Sequence, residues 1–475
     1  MDAAVTPETP DFATGLKDRA VCVAGLGVTG PPTVRALLRR GARVTVVDNR
    51  DDDAARAAAE ELRAEGARAV LGDSALPEGT ELVVISPGWR PDSPLALAAA
   101  AAGVEVIGDV ELAWRLRPAT QRWLAITGTN GKTTTVRMLE AMLRADGRDV
   151  AAAGNVGTPL LQAALPDDRG TAPDLLAVEL SSFQLHWSAT LAPHAGVVLN
   201  LAADHLDWHG GLEPYAQAKG RVYARGTVRI ANADDDWSAR LAQQGDPHAP
   251  LHGFTLGVPR PGQLGVVEDL LVDRAFVADP RTSAEELAAV GDVVPAAPHN
   301  VANALAAAAL ARSVGAAPES VRAGLRAFAP EPHRIAHVAR VAEVDYVDDS
   351  KATNPHAAAA SLAAYPSVVW VAGGLLKGAE VDDLVRTAAP RLRAAVLLGR
   401  DRDRLARALA VHAPEVPVVE VAGTGEDAMA EAVAAAARRA RPGDTVLLAP
   451  AAASMDMFRD YNARGDRFAE AVRAL

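Results

Sequence analysis

The sequence has little that would tie the chain to an oxidising compartment, a membrane or nucleic acid. It holds one cysteine in 475 residues, so no disulfide can form within the chain. The longest weakly apolar run, residues 95–108, is mostly alanine and is too short to cross a bilayer. The formal net charge of −12 argues against a non-specific nucleic-acid binder, which needs a basic face.

The first residues also lack the pattern of a secretion signal. Residues 1–14 carry acids and prolines, with neither a basic segment nor an apolar one. We therefore expect a cytoplasmic protein that does not associate with membranes. The single cysteine, Cys22, lies in the apolar run 20–24, which predicts a buried strand. We expect its thiol to pack in the core rather than to act as a nucleophile.

The length and the apolar pattern predict several α/β domains. A chain of 475 residues is too long for one core, and its length suggests about three domains. Strand-like runs alternate with helical patterns, which predicts parallel sheets covered by helices on both faces. The predicted domains are residues 1–110, 111–330 and 331–475, the last beginning at the linker-like turn Pro330-Glu-Pro332. Short pieces rich in Gly and Pro at 251–272 predict a small antiparallel patch.

A glycine-rich turn follows the first predicted strand. Gly25-Leu-Gly27-Val-Thr-Gly30 comes after strand 21–24 and opens a helix that we expect to run through Arg40, and a second strand, 43–47, ends at Asp48. This G-x-G-x-x-G pattern with an acid about 20 residues later is a dinucleotide fingerprint, which taken alone predicts NAD and a dehydrogenase. The alternative is a tight turn without a ligand. Ser86-Pro-Gly-Trp89 ends a further strand, where open α/β sheets bind ligands.

A second glycine-rich turn, Thr-Gly-Thr-Asn-Gly-Lys-Thr-Thr-Thr at 127–135, stands between an apolar run and a helical pattern. Strand, turn and helix of this kind make a phosphate cradle from backbone N–H groups and a helix N-terminus. Lys132 would reach the β- and γ-phosphates, and the Thr133 hydroxyl would hold Mg²⁺. The usual first glycine is replaced by Ile126, so the loop is short, and a turn around a surface lysine is the alternative. The residues expected around the nucleotide are Gly128, Thr129, Asn130, Gly131, Lys132, Thr133 and Thr134.

Polar residues follow two later strands of the middle segment. Glu179 ends the apolar strand 175–179, which is the expected place for a Mg²⁺ ligand, although it could instead cap the next helix. His205, in Asp204-His205-Leu-Asp207, follows strand 196–200 and could bind metal or substrate; no Cys/His pattern of a zinc site is present. Lys219 lies in a helical pattern, which by itself predicts a solvated lysine.

The last segment carries polar residues at three strand ends. These are Asp348-Asp349-Ser350-Lys351-Ala-Thr353-Asn354-Pro355, Gly373-Gly374-Leu-Leu-Lys377-Gly378, and Pro450-Ala-Ala-Ala-Ser454. Together they predict a second ligand site, and the lysines favour an anionic ligand. Before them, His299-Asn300 opens a helix and His333-Arg334 follows the linker, where an arginine could contact a phosphate or remain a surface residue.

These motifs together resemble the Mur ligase family. The resemblance runs in consistent order from Val21 to Phe468. It is carried by the short P-loop and by Gly154-Asn155-Val-Gly157, Glu179-Leu-Ser-Ser-Phe-Gln-Leu185, Asp204-His205, Asp349-Ser-Lys-Ala-Thr-Asn354 and the Gly-Gly…Lys-Gly run. It is closest to the members that add D-glutamate to UDP-N-acetylmuramoyl-L-alanine in peptidoglycan precursor synthesis. The short loop is itself typical of this superfamily.

The resemblance implies a Rossmann-like N-terminal domain for the UDP part, a central ATPase domain that uses ATP and Mg²⁺, and a Rossmann-like C-terminal domain for the amino acid. It implies a UDP site of Leu26, Thr29, Asp48, Asn49, Arg50, Ser86 and Gly88, and contacts of Asn155 and His205 with the muramoyl-alanine part. Lys132, Thr133, Glu179 and His205 would handle the γ-phosphate and Mg²⁺. Lys219 matches a family lysine that is carbamylated into a metal-binding carboxylate, so the expected catalytic residues are Lys132, His205 and Lys219.

For the remaining ligands, the resemblance implies that Asn300, Arg334 and Asp349 hold ATP. D-Glutamate would contact Lys351, Thr353, Lys377 and Ser454, with Tyr461 where the family usually has Phe. We expect a monomer that binds these small molecules and no nucleic acid. The alternatives are another amino-acid ligase of the superfamily, including a folylpolyglutamate synthase, and a catalytically silent nucleotide-binding regulator.

Overall fold

The computed structural model describes residues 12–155, 157–167, 170–330, 332–423, 425 and 427–475. The predictions for residues 1–11 and for Glu331, where the third domain was expected to begin, lie outside the described residues. Within the described part the chain forms three sheets. The chain divides into two compact units, Met1–Val293 with Val301–Phe328, and Val294–Asn300 with Ala329–Leu475. No helix among the described residues is long and apolar enough to cross a membrane.

The N-terminal sheet has five parallel strands in the order β3-β2-β1-β4-β5. Its central strands are runs of Val, Ala and Ile that are buried on both faces, as expected when helices cover a parallel sheet. Because β1 pairs with β2 on one side and β4 on the other, the order reverses at β1, where such folds bind ligands. The elements are β1 (Ala20–Ala24), α1 (Gly30–Leu38), β2 (Arg43–Asp48), α2 (Asp53–Ala64), β3 (Arg68–Leu71), β4 (Leu82–Ile85), α3 (Pro94–Ala101), β5 (Glu105–Gly108) and α4 (Asp109–Leu116).

The central sheet has nine strands in the order β14-β13-β12-β11-β10-β9-β6-β8-β7. Strands β6 to β12 run parallel, and β12, β13 and β14 pair antiparallel. The strand that leads into the short P-loop, β6, lies between β8 and β9, so the ends of three parallel strands meet at the loop. The elements are β6 (Arg122–Thr127), α5 (Lys132–Ala145), β7 (Val150–Gly154), α6 (Leu160–Ala164), β8 (Leu175–Glu179), α7 (Ser182–His186), β9 (Ala195–Val198), α8 (Leu206–His209), α9 (Leu212–Gly220), β10 (Val228–Asn232), α10 (Asp236–Gln244), β11 (Leu251–Phe254), β12 (Gln263–Val267), β13 (Leu270–Asp273), β14 (Glu285–Ala289), α11 (Pro298–Ser313) and α12 (Pro318–Ala327).

The C-terminal sheet has six strands in the order β15-β16-β20-β17-β18-β19. All pairs are parallel except the edge hairpin β15–β16. Three inner strands, β16, β17 and β20, are neighbours, which brings the three polar strand ends of this segment to one edge. The elements are β15 (Ala336–Val341), β16 (Val344–Asp348), α13 (Pro355–Ala363), β17 (Val368–Gly373), α14 (Asp382–Ala388), β18 (Leu392–Leu398), α15 (Arg402–His412), β19 (Val418–Glu420), α16 (Ala428–Arg439), β20 (Thr445–Leu448) and α17 (Tyr461–Arg473).

The α/β fold predicted from the sequence is confirmed, and some details were wrong. Helix α1 ends at Leu38 rather than Arg40. The antiparallel patch predicted at 251–272 is confirmed for β12 and β13, which pair antiparallel within the central sheet. Edge strands such as β3 and β19 were missed because they are short and half exposed, so they lack a continuous apolar run. Cys22 lies in the core, where burial raises the pKa of its thiol to about 12.

Candidate active site

The short P-loop joins the end of β6 to the start of α5, and its geometry requires glycine at two positions. Gly128 has a φ of +151° and lies against Leu199 and Asn200. Gly131 has a φ of +84° and precedes Lys132, the first residue of the helix. A Cβ atom at Gly131 would lie 2.3 Å from Oδ1 of Asn303, so a larger residue would clash. The loop therefore approaches a neighbouring helix closely, and it leads directly into the N-terminus of α5, where backbone N–H groups can bind an anion.

The P-loop backbone is held by the end of the neighbouring strand β9. The Thr129 N–H donates to the Asn200 carbonyl at 3.0 Å, and the Asn130 N–H donates to Oδ1 of Asn200 at 2.9 Å. The Thr129 hydroxyl lies 3.0 Å from the hydroxyl of Tyr215. Neither Asn200 nor Tyr215 was predicted as a site residue. Asn200 stood at a predicted strand end, but only the pairing of β6 with β9 shows which loop it reaches.

Two lysines meet at one carbonyl of this loop. Nζ of Lys132 donates to the Gly128 and Thr129 carbonyl oxygens, each at 2.9 Å. Nζ of Lys219, on α9, donates to the same Gly128 carbonyl at 2.8 Å. The two predicted catalytic lysines are 87 positions apart in sequence, and both lie at this loop.

Lys219 is buried rather than solvated. Only 2% of its surface is exposed, and its Nζ lies 4.6 Å from the centre of the Tyr215 ring. Burial, and next the charge of Lys132, lower the pKa of Lys219 well below its usual value, while Asp204 and Glu179 act in the opposite direction. The Lys219 amine, which lies beside the P-loop, therefore becomes neutral at a lower pH than the amine of an exposed lysine does.

Glu179 lies level with the P-loop because β8 pairs with β6, which aligns Glu179 with Ile126. It is 2% exposed, and its Oε1 accepts a hydrogen bond from Nδ2 of Asn155 at 3.0 Å. Its Oε2 is buried and has no hydrogen-bond partner. A buried carboxylate oxygen without a partner costs free energy unless a cation or another donor binds it. The buried Glu179 carboxylate thus fits a ligand of Mg²⁺, which prefers oxygen ligands.

No group of three or more His, Cys, Asp or Glu side chains in the described residues is arranged to hold a metal ion. Mg²⁺ commonly takes one or two carboxylates together with water and substrate phosphates. The Thr133 hydroxyl, on the first turn of α5, is the other predicted oxygen ligand, and Thr133 is 5% exposed.

His205 lies in the loop between β9 and α8, with a left-handed backbone at φ +54°. Its Nε2 lies 3.5 Å from Oδ2 of Asp204, and its ring centre lies 4.7 Å from that of Phe183. Almost half of its side chain, 47%, is exposed. A left-handed residue that is not glycine is strained, and such strain occurs where a side chain must be aimed.

A cavity of about 820 Å³ opens at the carboxyl edge of the N-terminal sheet. Its wall contains both the glycine-rich turn after β1 and the residues after β4. Of the residues predicted for the UDP part, Thr29, Asp48, Asn49, Arg50, Ser86 and Gly88 line it, while Leu26 is buried beneath the turn. Trp89, which ends the predicted ligand-binding run Ser86-Pro-Gly-Trp89, also lines it, as do Arg90 and Asp92, which were not predicted.

Asp48 uses its carboxylate to hold this cavity together. Its Oδ2 accepts the Leu26 N–H at 2.6 Å, and its Oδ1 accepts the Arg50 N–H at 2.8 Å. The Arg50 guanidinium adds Nε and Nη2 hydrogen bonds, each at 3.2 Å, and the net result is a lowered pKa of Asp48 despite its burial. In the dinucleotide fingerprint this acid binds a ribose hydroxyl. Here it accepts hydrogen bonds from the turn and from Arg50.

The second predicted site lies in the unit formed by Val294–Asn300 and Ala329–Leu475. Asp349 follows β16, is 7% exposed, and accepts hydrogen bonds from the Ser361 hydroxyl and from the Ile335 N–H. Burial raises the pKa of Asp349 to about 6, opposed by the Ser361 hydrogen bond and by the charge of Arg334. Asn300 donates from Nδ2 to the Pro295 carbonyl at 3.2 Å.

The residues predicted to bind the amino acid lie at the ends of β16, β17 and β20. Nζ of Lys351 lies 3.9 Å from the centre of the Tyr461 ring, a cation–π contact, and Thr353 follows two residues later. Lys377 is exposed and has a φ of +51°, and Asp401 holds its loop by accepting the Leu376 N–H at 2.7 Å. Ser454 is 4% exposed. One sheet edge thus presents two lysines to a ligand.

Arg464 on α17 joins two of these strand ends and was missed in the sequence. It is 1% exposed and donates from Nε to the Ser350 hydroxyl, from Nη2 to the Ser350 carbonyl and from Nη1 to the Ala452 carbonyl, at 2.8 to 3.0 Å. A single arginine in a helix pattern gives no sign of such a role. Only the packing of α17 against the sheet reveals it.

The chain is similar to known proteins along nearly its whole length. Three family models match in order: the MurD-like N-terminal domain of Mur ligases at 19–108, the Mur ligase middle domain at 126–311, and the Mur ligase glutamate ligase domain at 333–452. A UDP-N-acetylmuramoylalanine–D-glutamate ligase of Thermobifida fusca is 71% identical over 464 residues, covering 97% of this chain and 99% of the relative. The enzyme of that name from Streptomyces coelicolor is 59% identical, covering 96% and 98%.

A solved structure of the UDP-N-acetylmuramate–alanine ligase of Thermotoga maritima has the same fold, with a TM-score of 0.54 at 18% identity and coverage of 96% of this chain and 99% of that one. Fold and site together define a multidomain α/β protein with a short P-loop between β6 and α5. The chain belongs to the Mur ligase family, whose members depend on ATP. The resemblance read from the motifs is confirmed.

Proposed function

We infer that the protein joins D-glutamate to the L-alanyl carboxylate of UDP-N-acetylmuramoyl-L-alanine while ATP is converted to ADP and phosphate, a step of peptidoglycan precursor synthesis. Relatives of this name match nearly the whole chain, at up to 71% identity among those compared. The observation that carries the chemistry is the pair Lys132 and Lys219 on the Gly128 carbonyl, in the same sheet edge as Glu179. That arrangement suits phosphoryl transfer, because positioned cations can neutralise charge on the transferring group.

The reaction needs activation because a carboxylate does not react with an amine at a useful rate. The L-alanyl carboxylate oxygen attacks the γ-phosphorus of ATP, the bond to the β,γ-bridging oxygen breaks, and ADP leaves with an acyl phosphate remaining. The neutral amine of D-glutamate then attacks the acyl carbon, and the tetrahedral intermediate loses phosphate and a proton to give the amide. Lys132 would neutralise charge on the transferring group.

Thr133 and Glu179 would hold Mg²⁺, with His205 and Lys219 as the further predicted ligands. When bound, the ion would neutralise phosphate charge. The buried Glu179 Oε2 without a partner supports this assignment. We propose that Lys219 acts as a carbamate: its neutral amine would form a bond to the carbon of CO₂ and lose a proton, giving an anionic oxygen pair. The lowered pKa of Lys219 favours the neutral amine that this step needs.

The remaining assignments concern the contacts with the three substrates. The N-terminal cavity would hold the UDP part, and Asn155 and His205 would contact the muramoyl-alanyl part. Asn300, Arg334 and Asp349 would contact ATP. Lys351, Lys377, Thr353 and Ser454 would bind D-glutamate beside Tyr461, because two carboxylates need cations and hydroxyl donors. We propose the domains 1–110, 111–330 and 331–475 for these three roles, in a monomeric cytoplasmic enzyme.

A substrate panel tests this function. ADP and phosphate should form only when UDP-N-acetylmuramoyl-L-alanine, ATP and D-glutamate are present together. L-Glutamate, L-lysine and diaminopimelate should each replace D-glutamate poorly. Equal turnover with L-lysine or diaminopimelate would show that the chain is an amino-acid ligase of another specificity, and turnover with a folate substrate would point to the folylpolyglutamate branch.

A further inference from the structure

Arg90 lies in the loop that follows β4, at the carboxyl edge of the N-terminal sheet. Its side chain is 45% exposed and lines the 820 Å³ cavity together with Arg50 and the glycine-rich turn. No motif of the sequence singled it out. It is nevertheless one of two arginines in a cavity whose proposed ligand, the UDP part of the substrate, carries a diphosphate.

The guanidinium of Arg90 is fixed by two partners. Its Nε donates to Oδ1 of Asp92 at 2.9 Å, and its Nη2 donates to Oδ2 of Asp92 at 3.4 Å. Nη2 also donates to the backbone carbonyl of Asp207 at 3.1 Å. Within the described part of the chain Nη1 makes no hydrogen bond, so its two N–H groups remain available to a ligand.

The hydrogen bond to the Asp207 carbonyl fixes the position of the Arg90 guanidinium, and with it that of Nη1. Asp207 lies on α8, two residues after His205, in the loop that follows the central strand β9. Arg90 therefore connects the wall of the nucleotide cavity to the segment that carries His205. The uridine end of the substrate would lie in the cavity, and its acyl end would reach the P-loop. Its diphosphate and sugar would therefore lie beside the hydrogen bond between Arg90 and Asp207.

We propose that Arg90 is a substrate-binding residue that takes the diphosphate of the UDP-sugar. This rests on the proposed function, since it assumes a UDP-linked substrate. A guanidinium is suited to phosphate oxygens because its N–H groups are planar and permanently charged. The hydrogen bond to the Asp207 carbonyl orients it before the ligand arrives, which lowers the entropy lost on binding.

The neighbouring charges explain why Arg90 is needed. Arg50, the other arginine of the cavity, gives Nε and Nη2 to Asp48, whose side chain is 4% exposed, so that pair is fixed. Asp92 is 66% exposed and can turn towards water when a phosphate approaches Arg90. Asp92 thus competes with the ligand for Arg90, and its removal should strengthen rather than weaken diphosphate binding.

Calorimetric titration of the full chain with UDP and with uridine tests the proposal, using Arg90→Ala, Arg90→Lys and Asp92→Asn. For UDP, Arg90→Ala should raise Kd by ~10-fold or more, the size of a charge-assisted hydrogen bond to phosphate, with uridine affinity unchanged. Arg90→Lys should lose less, and Asp92→Asn should bind UDP at least as tightly as the wild type. Arg56→Ala is the matched control, because Arg56 is exposed, pairs with Asp51 and lies outside the cavity wall.

Two results would overturn the assignment. Unchanged UDP affinity in Arg90→Ala would show that Arg90 does not contact the diphosphate. An equal loss of affinity for UDP and for uridine would show damage to the whole cavity. If Arg90→Ala does not fold, Arg90→Lys decides, since it keeps the charge and the apolar stem. Failure of the wild type to bind UDP would instead contradict the proposed function itself, and the diphosphate role with it.

Discussion

Lys132 and Lys219 donate hydrogen bonds to the same acceptor, the carbonyl oxygen of Gly128, at 2.9 and 2.8 Å. Two ammonium groups at one oxygen repel each other, and Lys219, being the buried one, has the lowered pKa. A carbamate on Lys219 would replace this repulsion with attraction. The charge state of Lys219 and the position of Lys132 are therefore linked through one backbone atom.

Replacing Lys132 with Ala should lower kcat by more than ~100-fold, because the variant loses a positioned cation at the transferring phosphoryl group. Steady-state ADP release at saturating substrates measures this. Arg144→Ala is the control, since Arg144 lies on the same helix, is 63% exposed and pairs only with Glu140 among the described residues. Activity of Lys132→Ala close to that of the wild type would refute the role given to the loop.

Replacing Lys219 with Met should abolish most activity, with a loss of at least ~10-fold, without lowering thermal stability in buffer free of CO₂ and Mg²⁺. Met fills the space without burying a charge, and Lys132 still donates to the Gly128 carbonyl. For unmodified Lys219 the folded pKa is lower than the unfolded one, so the unfolded chain binds more protons in that range. Wild-type stability should then rise relative to Lys219→Met as the pH increases towards 10.5.

Differential scanning calorimetry of Lys219→Met and wild type across this pH range checks the stability part. A strongly destabilised Lys219→Met protein at neutral pH would show that the lysine contributes to folding and not only to chemistry. Mass spectrometry of the native wild-type protein with and without bicarbonate checks the carbamate directly, and a mass gain of one CO₂ that Lys219→Met lacks is the expected result.

Replacing Glu179 with Gln should raise the Mg²⁺ concentration needed for half-maximal activity by roughly 10- to 100-fold. Gln keeps an oxygen that can accept the Asn155 hydrogen bond, but it removes the charge on the oxygen that has no partner. Rates measured over a Mg²⁺ series at fixed ATP give the value. An unchanged Mg²⁺ requirement would remove Glu179 from the metal site.

Asp109 should make stability depend on pH in the acid range. It is 3% exposed, its Oδ1 has no partner, and burial raises its pKa from 3.8 to about 6. Between these values the folded state binds more protons than the unfolded state, so this group's contribution falls as the pH rises from about 4 to about 6. Because Asn cannot ionise, Asp109→Asn should lack this fall in the free energy of unfolding, which amounts to roughly 3 kcal/mol at most over the whole pH range.

Unfolding in urea at several pH values, followed for Asp109→Asn and wild type, gives the difference in slope. Asp53→Asn is the control, because the Asp53 carboxylate is fully exposed at the start of α2, a helix that joins two strands of the N-terminal sheet. Parallel pH curves for Asp109→Asn and wild type would mean that Asp109 ionises normally in the folded protein.

The sequence by itself determined the α/β class, the family and the sheet edges at which chemistry is expected. This follows because glycine-rich turns, buried strands and the polar residues that end them are local patterns. Thr29, Asp48 and Arg50 were predicted at the first edge and Lys132 and Glu179 at the second, and each lies where its strand end places it.

The tertiary structure alone decided what surrounds those residues. Lys219 has the pattern of a solvated helical lysine, yet the packing of α9 buries it against the P-loop. Asn200 bonds to the loop after a neighbouring strand, Arg464 bonds from a helix to a strand end, and Arg90 bonds from one loop to helix α8. Each partner is so distant in sequence that no local pattern contains both residues. Burial and long-range pairing set pKa values and hydrogen bonds, and both depend on which segments meet in space rather than on their neighbours in sequence.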